Sequence, residues 1–323
     1  MKVKSVGAIP PRSPILAIAL FPILALNLFC NTALAEDMGA ISQLPPLEAP
    51  TVEPPGTGDR PSRESLEQQW LLLPPPLVEV PVPQRDRGGS RVRPRVAPGS
   101  SSLSPTGFGA RWGQAFTGAG FQERTRFTES SDGAVSVGFG LGDPRKTVGF
   151  QTTITALDLF NNRNDEDGFM KRGSFSFKVH RTLPNDFAIA VGIENAIVWG
   201  FTDAGTSTYG VVSKTFRLQE NTADPLSRLT VSVGLGNGRF RTEDDFNDDR
   251  NTVNVFGSVG LRIAQPVSAI ADWTGQDLSV GVSVVPFRNI PLVLTPAIAD
   301  ITGSAGDGAR FRLGVGYSHF FNF

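Results

Sequence analysis

From Gly107 to the end of the chain, apolar residues fall on every second position over long runs. Val135, Val137, Phe139 and Leu141 alternate with Ser136, Gly138 and Gly140. Leu229, Val231, Val233 and Leu235 alternate with Thr230, Ser232 and Gly234, and Leu278, Val280, Val282 and Val284 with Ser279, Gly281 and Ser283. A period of two sends one set to each face of a β-strand. The pattern predicts about twelve strands, near 109–121, 133–142, 146–158, 171–182, 186–198, 207–218, 227–240, 251–264, 267–274, 277–286, 291–300 and 309–323. In the last, Phe311, Leu313, Val315, Tyr317, Phe321 and Phe323 share a face with one polar exception, His319. Strand 207–218 fits least well, because Lys214 and Arg217 fall on opposite faces.

Connection lengths alternate too. Short turns are expected at 143–145, 183–185, 264–266 and 287–290, and longer loops at 125–132, 161–168, 201–205, 242–250 and 303–308. The turn near 221–224 is long for its class and the loop at 275–276 short. Turns at one end, loops at the other and an even strand count describe an all-β, antiparallel up-and-down transmembrane β-barrel. Aromatic belts at both interfaces are expected of such a barrel. Trp112, Phe187, Phe216, Phe287, Phe321 and Phe323 fall at the turn end, and Trp199, Phe201, Tyr209, Phe240, Trp273 and Phe311 at the loop end. A secreted β-sandwich would alternate as well. It explains neither the two belts nor a chain that ends Phe-Phe-Asn-Phe, apolar surface that water disfavours.

Before Gly107 the texture is different. Lys2, Lys4 and Arg12 precede an apolar stretch, 14–30, and then Ala33-Leu34-Ala35, the parts of an export signal cut after Ala35. A membrane-anchoring helix is the alternative, with an apolar core near the short end for spanning. Residues 36–106 are rich in proline, which removes backbone donors and favours extended chain, so a disordered periplasmic linker is expected. One short helix is expected within it at 62–73, either transient or a docking helix or plug for the barrel. A basic segment, Arg85 to Arg95, follows and reads as solvated linker.

Composition narrows the chemistry. The net charge is −1, so no global basic field for nucleic acid exists. The single cysteine, Cys30, lies inside the export signal, and the mature chain then carries no disulfide, thiol nucleophile or cysteine metal site.

The C-terminal strand resembles the assembly signal of bacterial outer-membrane barrels, with Ser318 in the place of its small residue and Phe321 and Phe323 as its aromatics. Gly316 stands where that pattern has a polar residue. The resemblance implies insertion by the barrel-assembly machinery into the outer membrane, with outer-membrane lipid as the surrounding partner. Phrases such as Val211-Val212-Ser213-Lys214, Val233 to Phe240 and Asp277 to Gly281 also resemble segments of the YjbH-type barrels linked to exopolysaccharide.

The charged lumenal candidates are Lys171, Arg172, Lys178, Glu194, Arg262, Asp272, Asp277, Arg310 and Arg312. Arginine facing carboxylate across a narrow pore would select solutes; structural ion pairs are the plainer account. His180, near Ser174 and Ser176, is the one candidate for a catalytic base. The acidic runs 165–167 and 244–249 lack the spacing of a calcium loop and read as solvated loops. No cofactor and no metal site is expected. The readings are a small pore or structural envelope barrel, an accessory barrel for surface polysaccharide export with a cell-wall or periplasmic partner for the Pro-rich tract, and a lipid-modifying enzyme.

Overall fold

The computed structural model describes residues 96–124, 126, 131–157, 172–200 and 205–321. The expected export signal, the helix at 62–73, the acidic run 165–167, and Lys171, Phe201 and Phe323 lie outside them.

Twelve antiparallel strands close into a barrel in sequence order. They are β1 Gln114–Gln122, β2 Asp132–Gly142, β3 Gly149–Ala156, β4 Gly173–Leu183, β5 Phe187–Trp199, β6 Ser207–Arg217, β7 Arg228–Gly236, β8 Asn254–Ala264, β9 Val267–Trp273, β10 Leu278–Val284, β11 Leu292–Ala299 and β12 Arg310–Phe320. The seam joins β1 to β12 from Gln114↔Phe320 to Gln122↔Arg312. Closure leaves no unpaired strand edge.

Polarity is inverted relative to a soluble core. Val137, Val191, Ile197, Val212, Leu235 and Val282 point outward and are exposed, while Ser136, Ser176, Ser213, Ser232 and Ser279 point inward and are buried. The strand period put each set on its face, and the register kept it there across every seam.

Glycine on the inner face has a packing reason. Phe116 lies opposite Gly138, Tyr209 opposite Gly192 and Phe256 opposite Gly234. Each ring covers its glycine so closely that a Cβ there would overlap it. The rings shield backbone that would otherwise face the lumen bare.

The turns follow local chemistry. Between β4 and β5, Asn185 and Asp186 both hold φ near +60° (61° and 60°), a left-handed conformation these residue types tolerate best after glycine. Between β4 and β5 the register shifts, with Phe175↔Ile197 followed by Phe177↔Ile193. The extra residues sit on β5, where Asn195 (φ 54°) is tucked inward beside Glu194. Loop 242–250 is not irregular throughout: it contains a short helix, α1, Glu243–Asn247, capped by the Thr242 hydroxyl accepting from Asp245 N.

Two expectations need correction. The first strand starts at Gln114, not near 109, and residues 96–113 lie inside the barrel or at its base, so the stretch 96–106 is not free linker. Tyr209 and Phe240 are buried in the lumen rather than part of the outer belt. Trp112, Phe187, Phe216, Phe287 and Phe321 are exposed at the turn end as expected.

Candidate functional site

A barrel of about eight strands is filled by its own side chains; twelve leave room for more. Here the room is taken by residues 96–111. The segment starts near the turn end, where Gly99 N donates to Ser283 Oγ at 2.8 Å, one step from the Val284↔Val267 pair. It climbs past Gly260, whose inner face touches the Ser100 backbone, to Asp272 in the loop half. There it doubles back. Gly107 N donates to Ser213 Oγ (2.7 Å), Lys178 Nζ to Phe108 O (2.5 Å) and Ala110 N to Gln151 Oε1 (2.9 Å). It leaves at the turn end, where Trp112 N bonds Gly142 O and Phe321 N bonds Gly113 O.

The tip of this hairpin-like path is a carboxylate cradle. Asp272, fully buried, accepts from Ser101 Oγ (2.7 Å), Ser102 N (2.7 Å), Leu103 N (3.0 Å) and Ser104 N (3.2 Å), and from the Ser104 hydroxyl. Successive N–H groups converging on one anion form a nest. Charge-assisted hydrogen bonds are the strong ones, and these donors fix the tip of the segment to this one side chain of the wall.

Close approach explains the glycines along the path. A Cβ at Gly107 would strike the Ala188 carbonyl, and one at Gly109 the His180 ring. On the wall, Gly140 and Gly260 leave the matching space for Ala110 and Ser100. An extended segment with no ladder partner must satisfy its N–H groups elsewhere, and this one uses lumenal side chains.

The loop end is closed by a second layer. The connection from β7 to β8 folds into the mouth, and Phe240 stacks on Phe256 with centroids 4.2 Å apart, edge-on to Tyr209. Arg239 grips Glu194 through Nε (2.5 Å) and Nη2 (3.1 Å), both side chains buried, and Nη2 reaches Leu103 O at 3.3 Å. Glu243 takes Arg126 Nη1 at 3.0 Å and the Gln276 amide. Asp277 faces Arg310 at 3.6 Å and Arg312 at 3.8 Å, and Arg312 Nε also donates to Gln122 Oε1 at 2.8 Å. Asp245 of α1 binds the Thr252 hydroxyl (2.6 Å), the Thr242 hydroxyl (2.8 Å) and Arg250 (3.2 Å). The Thr252 and Thr242 hydrogen bonds pull its carboxyl down to about 2. Its oxygens face these protein donors, and among the described residues no acidic and histidine cluster suits a metal ion.

The structure thus brings Glu194, Asp277, Arg310 and Arg312 into local ion pairs along the wall rather than opposing fields across an open pore. Asp272 and Lys178 hold the inserted segment, Arg172 is buried near the loop end, and Arg262 is buried near the turn end. The His180 ring sits between Gly109 and Gly149 and is 2% exposed. Ser174 and Ser176 are engaged with Asn195 instead (2.7 and 3.1 Å), so no serine hydroxyl bonds the imidazole. Ser318 is buried against Gln114 Nε2 (3.0 Å), while His319 lies on the outer face with its ring 4.7 Å from that of Phe321.

Sequence reasoning missed Arg239, Glu243, Arg126 and the Ser101–Ser104 cradle. Arg126 and Glu243 lie in loops, where period two says nothing, and Arg239 falls within 227–240, read as one strand, whereas β7 ends at Gly236 and Gly238–Phe240 form a 3-10 turn that folds inward. The cradle had one signal, a Ser-rich run flanked by Gly99 and Gly107, and that composition reads equally as linker. No protein-family model matches the sequence, and no curated protein is similar to it.

Proposed function

We propose that this chain is an outer-membrane barrel shut by its own residues 96–111, a conduit that opens when that segment leaves. The observation that carries the reading is the polarity of the plug interface. The segment is held by serine, aspartate, lysine and glutamine side chains. Water can replace those partners, so a vacated lumen would be a wet channel rather than an exposed core. Both ends of the segment lie at the turn end, so a pull on the chain before Val96 would draw it out the way it came. The apolar outer face supports lipid as the surroundings, and the Ser318, Phe321 and Phe323 pattern supports delivery by the barrel-assembly machinery.

The test is conductance of the full chain in planar bilayers. Wild type should be silent, and Asp272→Ala, which removes the cradle's anion, should show discrete openings. Continuous conduction by wild type would overturn the reading. If Asp272→Ala frees the segment to protease yet never conducts, the barrel is a structural envelope element instead. Folded protein should migrate faster than heat-unfolded protein on gels and require detergent for extraction.

A further inference from the structure

Among the described residues, two lumenal arginines near the turn end make no ion pair with a carboxylate. Arg228 opens β7 and Arg262 lies near the end of β8, each one step beyond the Leu229↔Leu261 pair. Both point inward, at 5% and 7% exposure. The two are near enough that the Arg228 charge acts on Arg262. Arg228 Nη1 donates to the carbonyls of Gln219 and Ser227, both at 2.8 Å, and its Nε is buried without a partner. Arg262 Nε is likewise buried and unpartnered. The nearby carboxylate of Asp186 is already gripped by Arg217, at 2.6 and 2.9 Å. Ser268 stands opposite Arg262 on β9, and Ser100 covers Gly260, the next inward position up β8.

The one carboxylate whose charge reaches Arg228 is Asp186, and it is shared with Arg217, so positive charge is in excess here and the two buried guanidiniums are unfavourable neighbours unless a further anion joins them. Their forked donors match an oxyanion with several acceptor oxygens. We propose that Arg228 and Arg262 form a binding site for a phosphate-type oxyanion entering the lumen from the turn end. The site faces inward, which favours a free anion over a lipid headgroup held outside the wall. The proposal stands on the barrel alone and does not require the conduit reading.

Calorimetric titration of the full chain in an uncharged detergent with inorganic phosphate tests it, with chloride at equal ionic strength as the control. Wild type should bind phosphate saturably and unfold at higher temperature in its presence. Arg262→Gln and Arg228→Gln should each weaken binding about tenfold or more, and Arg262→Lys should keep part of it. Equal thermal shifts in phosphate and chloride, or equal affinity in wild type and both glutamine variants, would overturn the site. Short-chain phosphatidylglycerol, added in place of phosphate, separates the sources. If it binds through the same arginines while inorganic phosphate does not, the free-anion assignment fails and the headgroup is the ligand.

Discussion

The two halves of the lumen handle charge in opposite ways. In the loop half, arginines meet carboxylates: Arg239 with Glu194, Arg126 with Glu243, Arg310 and Arg312 with Asp277. In the turn half, Lys178 donates to a backbone carbonyl, and Arg228 and Arg262 have no ion pair among the described residues. Matched charges fix geometry, because the energy depends on bidentate contact. Unmatched charges leave a positive mouth that attracts anions. One end of this lumen is therefore held by paired charges, and the other carries an excess of buried positive charge among the described residues.

The contrast can be broken most sharply at Glu194. Glu194→Ala strands Arg239, which is only 3% exposed, and should cost about 3–5 kcal/mol in chemical unfolding followed by tryptophan fluorescence. The matching change in the turn half should act the other way. Arg262→Gln in chloride buffer removes an uncompensated buried charge and should leave stability unchanged or raised by about 1 kcal/mol. Comparable losses in both variants would erase the distinction between the halves. The smallest effect belongs to the loop that caps the closed end. Asp245 has its folded value lowered to about 2 from 3.8, so its contribution is complete above pH 4 and is lost as pH falls through 2. Proton exchange in residues 242–254 should quicken across that window while the strands stay protected, and Asp245→Asn should abolish the dependence.

The strands were legible because burial on one side alone writes period two into the sequence. Val233 and Leu235 against Ser232 and Gly234 admit one register. Where both neighbours are apolar the parity blurs: Val211 points inward and Val212 outward, and Tyr209, on the Val211 face, goes in with it. The candidate charges were legible as lumenal, but their partners were not, because pairing depends on loops that carry no periodicity. Least legible was the inserted segment. Serine, glycine and proline in extended chain look the same whether water or a barrel wall satisfies their backbone, and only the glycines opposite His180 and Ala188 betray a close wall.

The way residues 96–111 sit also bears on the order of assembly. Among the described residues the stretch begins and ends at one side of the barrel, so residues 96–113 do not pass through it from end to end. The ring can zip at the β1–β12 seam first and receive the insert afterwards as a folded-back bight. The hydrogen bond from Phe321 N to Gly113 O places the foot of that bight at the last contact of the seam. Completing the wall therefore also fixes the place from which the insert reaches its cradle.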